Sequence, residues 1–120
     1  MKGKDINKTR QQLIRQMRRG VLELCVLSIV AKKEAYPSDI ITELKASDLI
    51  VVEGTLYPLL SRLKDQGLLQ YNWRESTQGP PRKYYSITDT GHTLLMELQD
   101  TWQALVQAVD HSTKNINDNE

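Results

Sequence analysis

Four leucines, Leu56, Leu59, Leu60 and Leu63, recur at helical spacing in the stretch GTLYPLLSRLKDQGLLQ from Gly54 to Gln70, and after Gly67 the apolar period changes from 3.6 to 2. A helix with one apolar stripe and a strand with one apolar face must share a core, because neither surface is stable in water. Steps of about 100° per residue put Gly54, Pro58 and Ser61 opposite the leucines, with Thr55, Tyr57 and Arg62 on the flanks. That outward face carries no carboxylate until Asp65. A solvated face usually mixes charges, whereas a face that approaches phosphates keeps small residues, hydroxyls and cations. Pro58 removes the amide that would bond back to Gly54 and disfavours the α conformation at Tyr57, which predicts an irregular helix start.

Upstream, apolar positions from about Thr9 to Ala31 follow a helical period, with a break between two short helices at Gly20. In EAYPSDIITELKAS, Pro37 suits a first helical position, Ser38 and Asp39 suit the N-terminal dipole, and Ile40, Ile41 and Leu44 point one way. DLIVVEG reads as a short strand or an extended connector. Downstream, Gly67 ends the leucine helix, and Leu69, Tyr71 and Trp73 alternate with Gln70, Asn72 and Arg74 in a half-buried strand. The turn ESTQGPP leads to a second strand whose Tyr85 and Ile87 face inward. Thr88 or Asp89 caps a final helix that runs to about residue 116. These elements predict a mainly α fold with a small β-hairpin (α+β). It divides into a basic arm or helix at 1–18, a winged helix-turn-helix at 19–88, a long C-terminal helix at 89–116 and a frayed tail at 117–120.

Charge is polarised along the chain more than the net +1 suggests. Met1 to Gly20 holds seven basic residues against Asp5, and Thr88 to Glu120 holds six acids against Lys114. Between them, eight of each sign balance, so nucleic-acid affinity has to come from local placement. With 120 residues the chain suits one domain, and its single cysteine, Cys25, lies in the apolar run VLELCVLSIVA, where a buried thiol in a reducing cytoplasm is expected. Glu23 interrupts that run and no small-residue cleavage site follows, so it reads as a core helix rather than a secretory signal or a membrane span. His92 and His111 stand nineteen positions apart without a ligand set, so no metal is expected. No phosphate loop, Ser/His/Asp grouping or carboxylate pair is present, and neither a cofactor nor an enzymatic function is expected.

GTLYPLLSRLKDQGLL, the hairpin GPPRKYYSITDTGHTLL and the later Trp102 resemble the PadR-type transcriptional regulators, named for the phenolic acid decarboxylase regulator, from Arg19 to about Val109. The single C-terminal helix resembles the short branch of that family. The chain departs from the family in EAYPSDI, where many members carry a glycine-tyrosine pair, and in its basic N-terminal segment. The resemblance implies a homodimeric repressor of double-stranded DNA with a two-fold symmetric operator.

In such a fold the leucine helix enters the major groove, so Gly54, Thr55, Tyr57, Pro58, Ser61 and Arg62 are the expected contacts. The wing supplies Arg82 and Lys83, with Arg74 as a third cation on the facing strand. On the last helix Leu95, Leu98, Trp102, Leu105, Val109, Ser112 and Ile116 alternate by three and four in a heptad seam that wants a partner helix, while Leu94 and Val106 face the domain. Leu13, Ile14 and Met17 complete the expected dimer interface. Some similar regulators use a tryptophan at the position of Trp102 to bind flat hydrophobic molecules, so a planar aromatic effector is implied; in the alternative reading the indole is a packing anchor. A different class, a dimeric winged-helix adaptor for a protein partner, has the same sequence features and differs in not binding DNA.

Overall fold

The computed structural model describes residues 3–116, and the tail expected at 117–120 lies outside them. Helices α1 (Gly3–Arg18), α2 (Val21–Lys32), α3 (Pro37–Ala46) and α4 (Glu53–Asp65) precede an antiparallel hairpin of β1 (Leu69–Ser76) and β2 (Gly79–Ile87), and α5 (Asp89–Ser112) follows. This is an α+β winged helix-turn-helix with a long C-terminal helix. No described helix is long and apolar enough to cross a membrane.

The core forms where α2, α3, α4, the hairpin base and the start of α5 meet. Val26, Leu27 and Val30 of α2, Ile40 and Leu44 of α3 and all four leucines of α4 are buried together with Leu69, Tyr85 and Leu95. Each fully buried aliphatic side chain is worth about 1.5–3 kcal/mol relative to exposure. Among the described residues, the buried set contains no charged side chain. Gly20, at φ 86°, turns the chain between α1 and α2, and Gly67, at φ 76°, turns it from α4 into β1.

The hairpin pairs Leu69 with Ile87, Tyr71 with Tyr85, Trp73 with Lys83 and Arg74 with Arg82, and its register shifts between Arg74 and Ser76. Burial falls off along β1: Leu69 is buried, Tyr71 half-buried and Trp73 61% exposed. Reciprocal backbone bonds join Ala35 and Tyr85, Ala35 N to Tyr85 O at 3.1 Å and Tyr85 N to Ala35 O at 2.8 Å. They fasten the hairpin to the α2–α3 corner.

Several expectations are revised. The basic segment is helical from Gly3 rather than from Thr9. Of the two readings of DLIVVEG the connector holds: Leu49 to Val52 form no strand, the accessible edge of β2 pairs with Ala35 instead, and Ile50 and Val52 stay exposed. Helix α4 is continuous through Pro58. It begins at Glu53, with Thr55 N and Leu56 N both donating to Val52 O, so the first turn is established before the proline is reached. The early start adds a second carboxylate, Glu53, where the helix dipole favours one.

The proposed seam on α5 divides. Leu95 is 3% exposed and belongs to the protomer's own core, so it is withdrawn from the dimer interface, and Leu98 is half-buried against that core. Ile116 lies beyond the helix, after Asn115 at φ 65°. Trp102, Leu105 and Val109 remain exposed, as do Leu13, Ile14 and Met17 on α1.

Thr88 caps α5: its hydroxyl accepts from Gly91 N at 3.0 Å and donates to Gly67 O at 2.6 Å. This brings the helix so close to the hairpin base that a Cβ on Gly91 would stand 2.1 Å from Leu68 O. Backbone cannot yield there as a flexible side chain could. Gly91→Ala is therefore expected to lower unfolding stability by about 2 kcal/mol or more, seen as a fall in the urea midpoint with the slope unchanged. Gly54 has nothing within 4 Å of its would-be Cβ, and Gly54→Ala should leave stability unchanged or raise it by up to about 1 kcal/mol.

Candidate nucleic-acid interface

With its leucines buried, α4 has to expose Gly54, Thr55, Tyr57, Pro58, Ser61 and Arg62, and all six are exposed. Gly54 and Pro58 project little beyond the backbone. Tyr57, at 46% exposure, and Ser61 offer hydroxyls. Nothing inside the protein requires glycine at position 54, where it costs about 0.5–1 kcal/mol relative to alanine in a helix. Room for something outside the protein is a reason to keep it.

Beside this helix lies an open cleft of about 470 Å³, bordered by the start of α3 at Tyr36 and Ser38, by Tyr57 and Ser61 of α4, and by Arg82 and Lys83 of β2. Glu53 also borders it, so the cleft is cationic on its wing side and carries one acid at the helix start. Tyr85 closes its floor. Burial, with Tyr71 and Tyr57 nearby, pushes the Tyr85 phenol above its ordinary range and keeps it neutral.

The register sets Arg74 directly opposite Arg82, a like-charge pair that would repel on its own. Two tyrosines and a glutamate resolve the conflict. Arg74 Nη2 donates to both carboxylate oxygens of Glu34 at 2.7 Å, and its guanidinium stacks on Tyr84 at 4.5 Å from the ring centre. Arg82 lies 4.8 Å from the ring centre of Tyr36, which meets Tyr84 edge-on with centroids 5.2 Å apart. Lys83 Nζ sits on the other face of the hairpin, 4.5 Å from the ring centre of Tyr71 and 5.4 Å from that of Trp73. Arg74, expected as a third wing cation, is thus paired with Glu34 and links the wing to the α2–α3 corner. Arg82 and Lys83 have no carboxylate partner among the described residues.

Arg62 reaches Glu23 at 3.6 Å with both side chains largely exposed. Such a pair is worth well under 1 kcal/mol and yields readily to a phosphate. Glu34, Tyr36 and Glu53 were not singled out from the sequence. The first two matter only because Ala35 pairs with Tyr85, a contact across fifty positions that local pattern does not reveal.

Trp102 is 39% exposed and, with Leu24, Cys25, Ser28 and Gln99, lines a separate cavity of about 560 Å³ between α2 and α5. Cys25, expected to be buried, is half-buried, and that partial burial pushes its thiol up and favours the protonated form. No group of three or more potential metal ligands occurs among the described residues.

Comparison with known proteins gives a consistent answer. Residues 26–97 match the Transcriptional regulator PadR-like family. A PadR-like transcription factor from Bacteroides fragilis is 55% identical, its structure superposing with a TM-score of 0.71 over 83% of this chain and 97% of that one. A padr family transcriptional regulator from Eggerthella lenta is 31% identical with a TM-score of 0.85, over 93% of this chain and 98% of its own. A transcriptional regulator of Mycobacterium tuberculosis is 31% identical over 96 residues, 80% of this chain and 89% of its own. The chain belongs to the PadR-like family of transcriptional regulators.

Proposed function

We propose that the protein acts as a homodimeric, sequence-specific DNA-binding repressor, with α4 in the major groove and the hairpin on the flanking phosphates. The observation that carries this reading is the shared cleft: the carboxylate-poor outward face of α4 and the wing segment of Arg82 and Lys83, which have no carboxylate partner among the described residues, border the same opening. A helix presented end-on to the groove reads base edges with its N-terminal side chains. Thr55, Tyr57 and Arg62 are therefore the candidates for base contact. Gly54, Pro58 and Ser61 allow the backbone to approach.

Dimerisation accounts for the apolar surface that the protomer leaves uncovered. Trp102, Leu105 and Val109 follow one another by three and four along α5, and Leu13, Ile14 and Met17 line α1. Paired across a two-fold axis, these stripes would hold two recognition helices about 34 Å apart, which fits half-sites one helical turn apart. Trp102 would then approach its symmetry mate above the α2–α5 cavity. That arrangement suits a planar aromatic effector stacked between two indoles, which would release DNA only by favouring one spacing of the dimer over another.

Two measurements test these claims. A titration of mixed-sequence duplex at low and raised salt should show binding that weakens with salt, and Arg82→Ala with Lys83→Ala should flatten the slope by about 0.9 per lost phosphate contact. Absence of binding at every salt concentration would instead favour a protein-binding adaptor. For the dimer, Leu105→Asp with Val109→Asp should give monomers in sedimentation and abolish operator binding; a dimer that survives both changes has its interface elsewhere.

A further inference from the structure

Helix α4 is a ridge with a cleft on each side. On the side of Tyr57 and Ser61 lies the wing cleft. On the side of Thr55 and Arg62 lies a second cleft of about 470 Å³, walled by Arg15, Arg18 and Arg19 from the α1–α2 corner. Four arginines thus converge there, with Glu23 as the acid that also borders it. Glu23 engages Arg62, and among the described residues Arg15, Arg18 and Arg19 have no ion-pair partner. The dipole of α1 favours cations in its last turn, which accounts for Arg15 and Arg18. Arg19, just past the helix end, gains from the same dipole, but the dipole does not account for a fourth arginine that borders the same cleft from α4. Gathering like charges opposes folding unless an anion is to be met there.

We infer that Arg15, Arg18 and Arg19 form a second phosphate-binding site, which grips the DNA strand on the side of the major groove opposite the wing. This inference rests on the proposed DNA binding and adds the basic N-terminal segment to it. The groove is about 12 Å wide, so a helix lying in it is bordered by one phosphate backbone on each flank. The hairpin serves one flank and the α1–α2 corner serves the other. Leu22, Leu49 and Leu59 at the floor of the cleft provide an apolar bed for the arginine stems while the guanidinium heads reach outward. Because α1 also carries the uncovered stripe of Leu13, Ile14 and Met17, the same helix would couple dimer assembly to phosphate contact.

The test uses the full chain and a mixed-sequence duplex, with affinity measured at several salt concentrations between about 50 and 200 mM. Replacing Arg15, Arg18 and Arg19 together with alanine should flatten the dependence of log affinity on log salt by up to about 2.7, about 0.9 per contact, and Arg19→Ala alone by about 0.9. The three lysine replacements should keep the parental slope, since charge and not packing is at issue. The losses should add to that of the Arg82→Ala, Lys83→Ala pair, because opposite strands are involved. An unchanged slope in the alanine variants, with a flattened one in the wing pair, would overturn the second site and leave DNA binding standing; the cleft would then be open to an amphipathic anion. A parent chain that binds no duplex would overturn both.

Discussion

Burial of the leucine stripe of α4 is the constraint on which the rest of the molecule depends. Leu56 and Leu60 are fully buried, and Leu59 and Leu63 nearly so. At about 1.5–3 kcal/mol each, these four side chains are comparable with the whole net stability of a small domain. Removing one would cost about 2–5 kcal/mol and leave a cavity. Because the stripe can face only inward, Gly54, Thr55, Tyr57, Pro58, Ser61 and Arg62 can face only outward. The rotation of the candidate reading surface is thus set by hydrophobic burial on the other side of the same helix.

The hairpin poses an opposite problem, since its use depends on keeping charge on a thin, mostly exposed ribbon. Its register places two arginines side by side, and the fold separates their roles through what each one touches. Arg74 is held by Glu34 and becomes part of the scaffold, whereas Arg82 rests on the face of Tyr36 and keeps its charge unneutralised. Stacking on an aromatic ring limits the rotamer freedom of a long cation without cancelling its charge, which favours a prepared phosphate contact. Tyr36 is brought there by Ala35, whose backbone pairing with Tyr85 anchors the hairpin to the α2–α3 corner. Core packing, wing position and surface charge are therefore linked through two adjacent residues.

Helix and hairpin were legible in the sequence because each carries its own periodic signal. The stripe of Leu56 to Leu63, the stop at Gly67 and the alternation in both strands are local. The core position of Tyr85 followed from that alternation. What was not legible depends on long-range contact. DLIVVEG left a strand and a connector equally open, and the connector holds where the β2 edge is already paired with Ala35. The heptad pattern on α5 treated Leu95 and Leu105 alike, although the protomer's own core takes in the first and leaves the second 52% exposed. Pro58 suggested an irregular start through its missing amide and its restriction on Tyr57, yet α4 stays continuous because its first turn is already closed on Val52 O. The place of Arg74 could not be read without Glu34, forty positions away.

The central claim is that one side of the molecule, with α4 at its centre, is the surface that meets DNA. Amide hydrogen exchange measured on the full chain with and without duplex tests it most directly, because it reads each segment in the same experiment. Added duplex should slow exchange in Glu53–Asp65 and at the hairpin tip around Gly79–Lys83, and leave the distal half of α5, from Trp102 to Ser112, unchanged. Protection of α5 with none in α4 or the hairpin would contradict it.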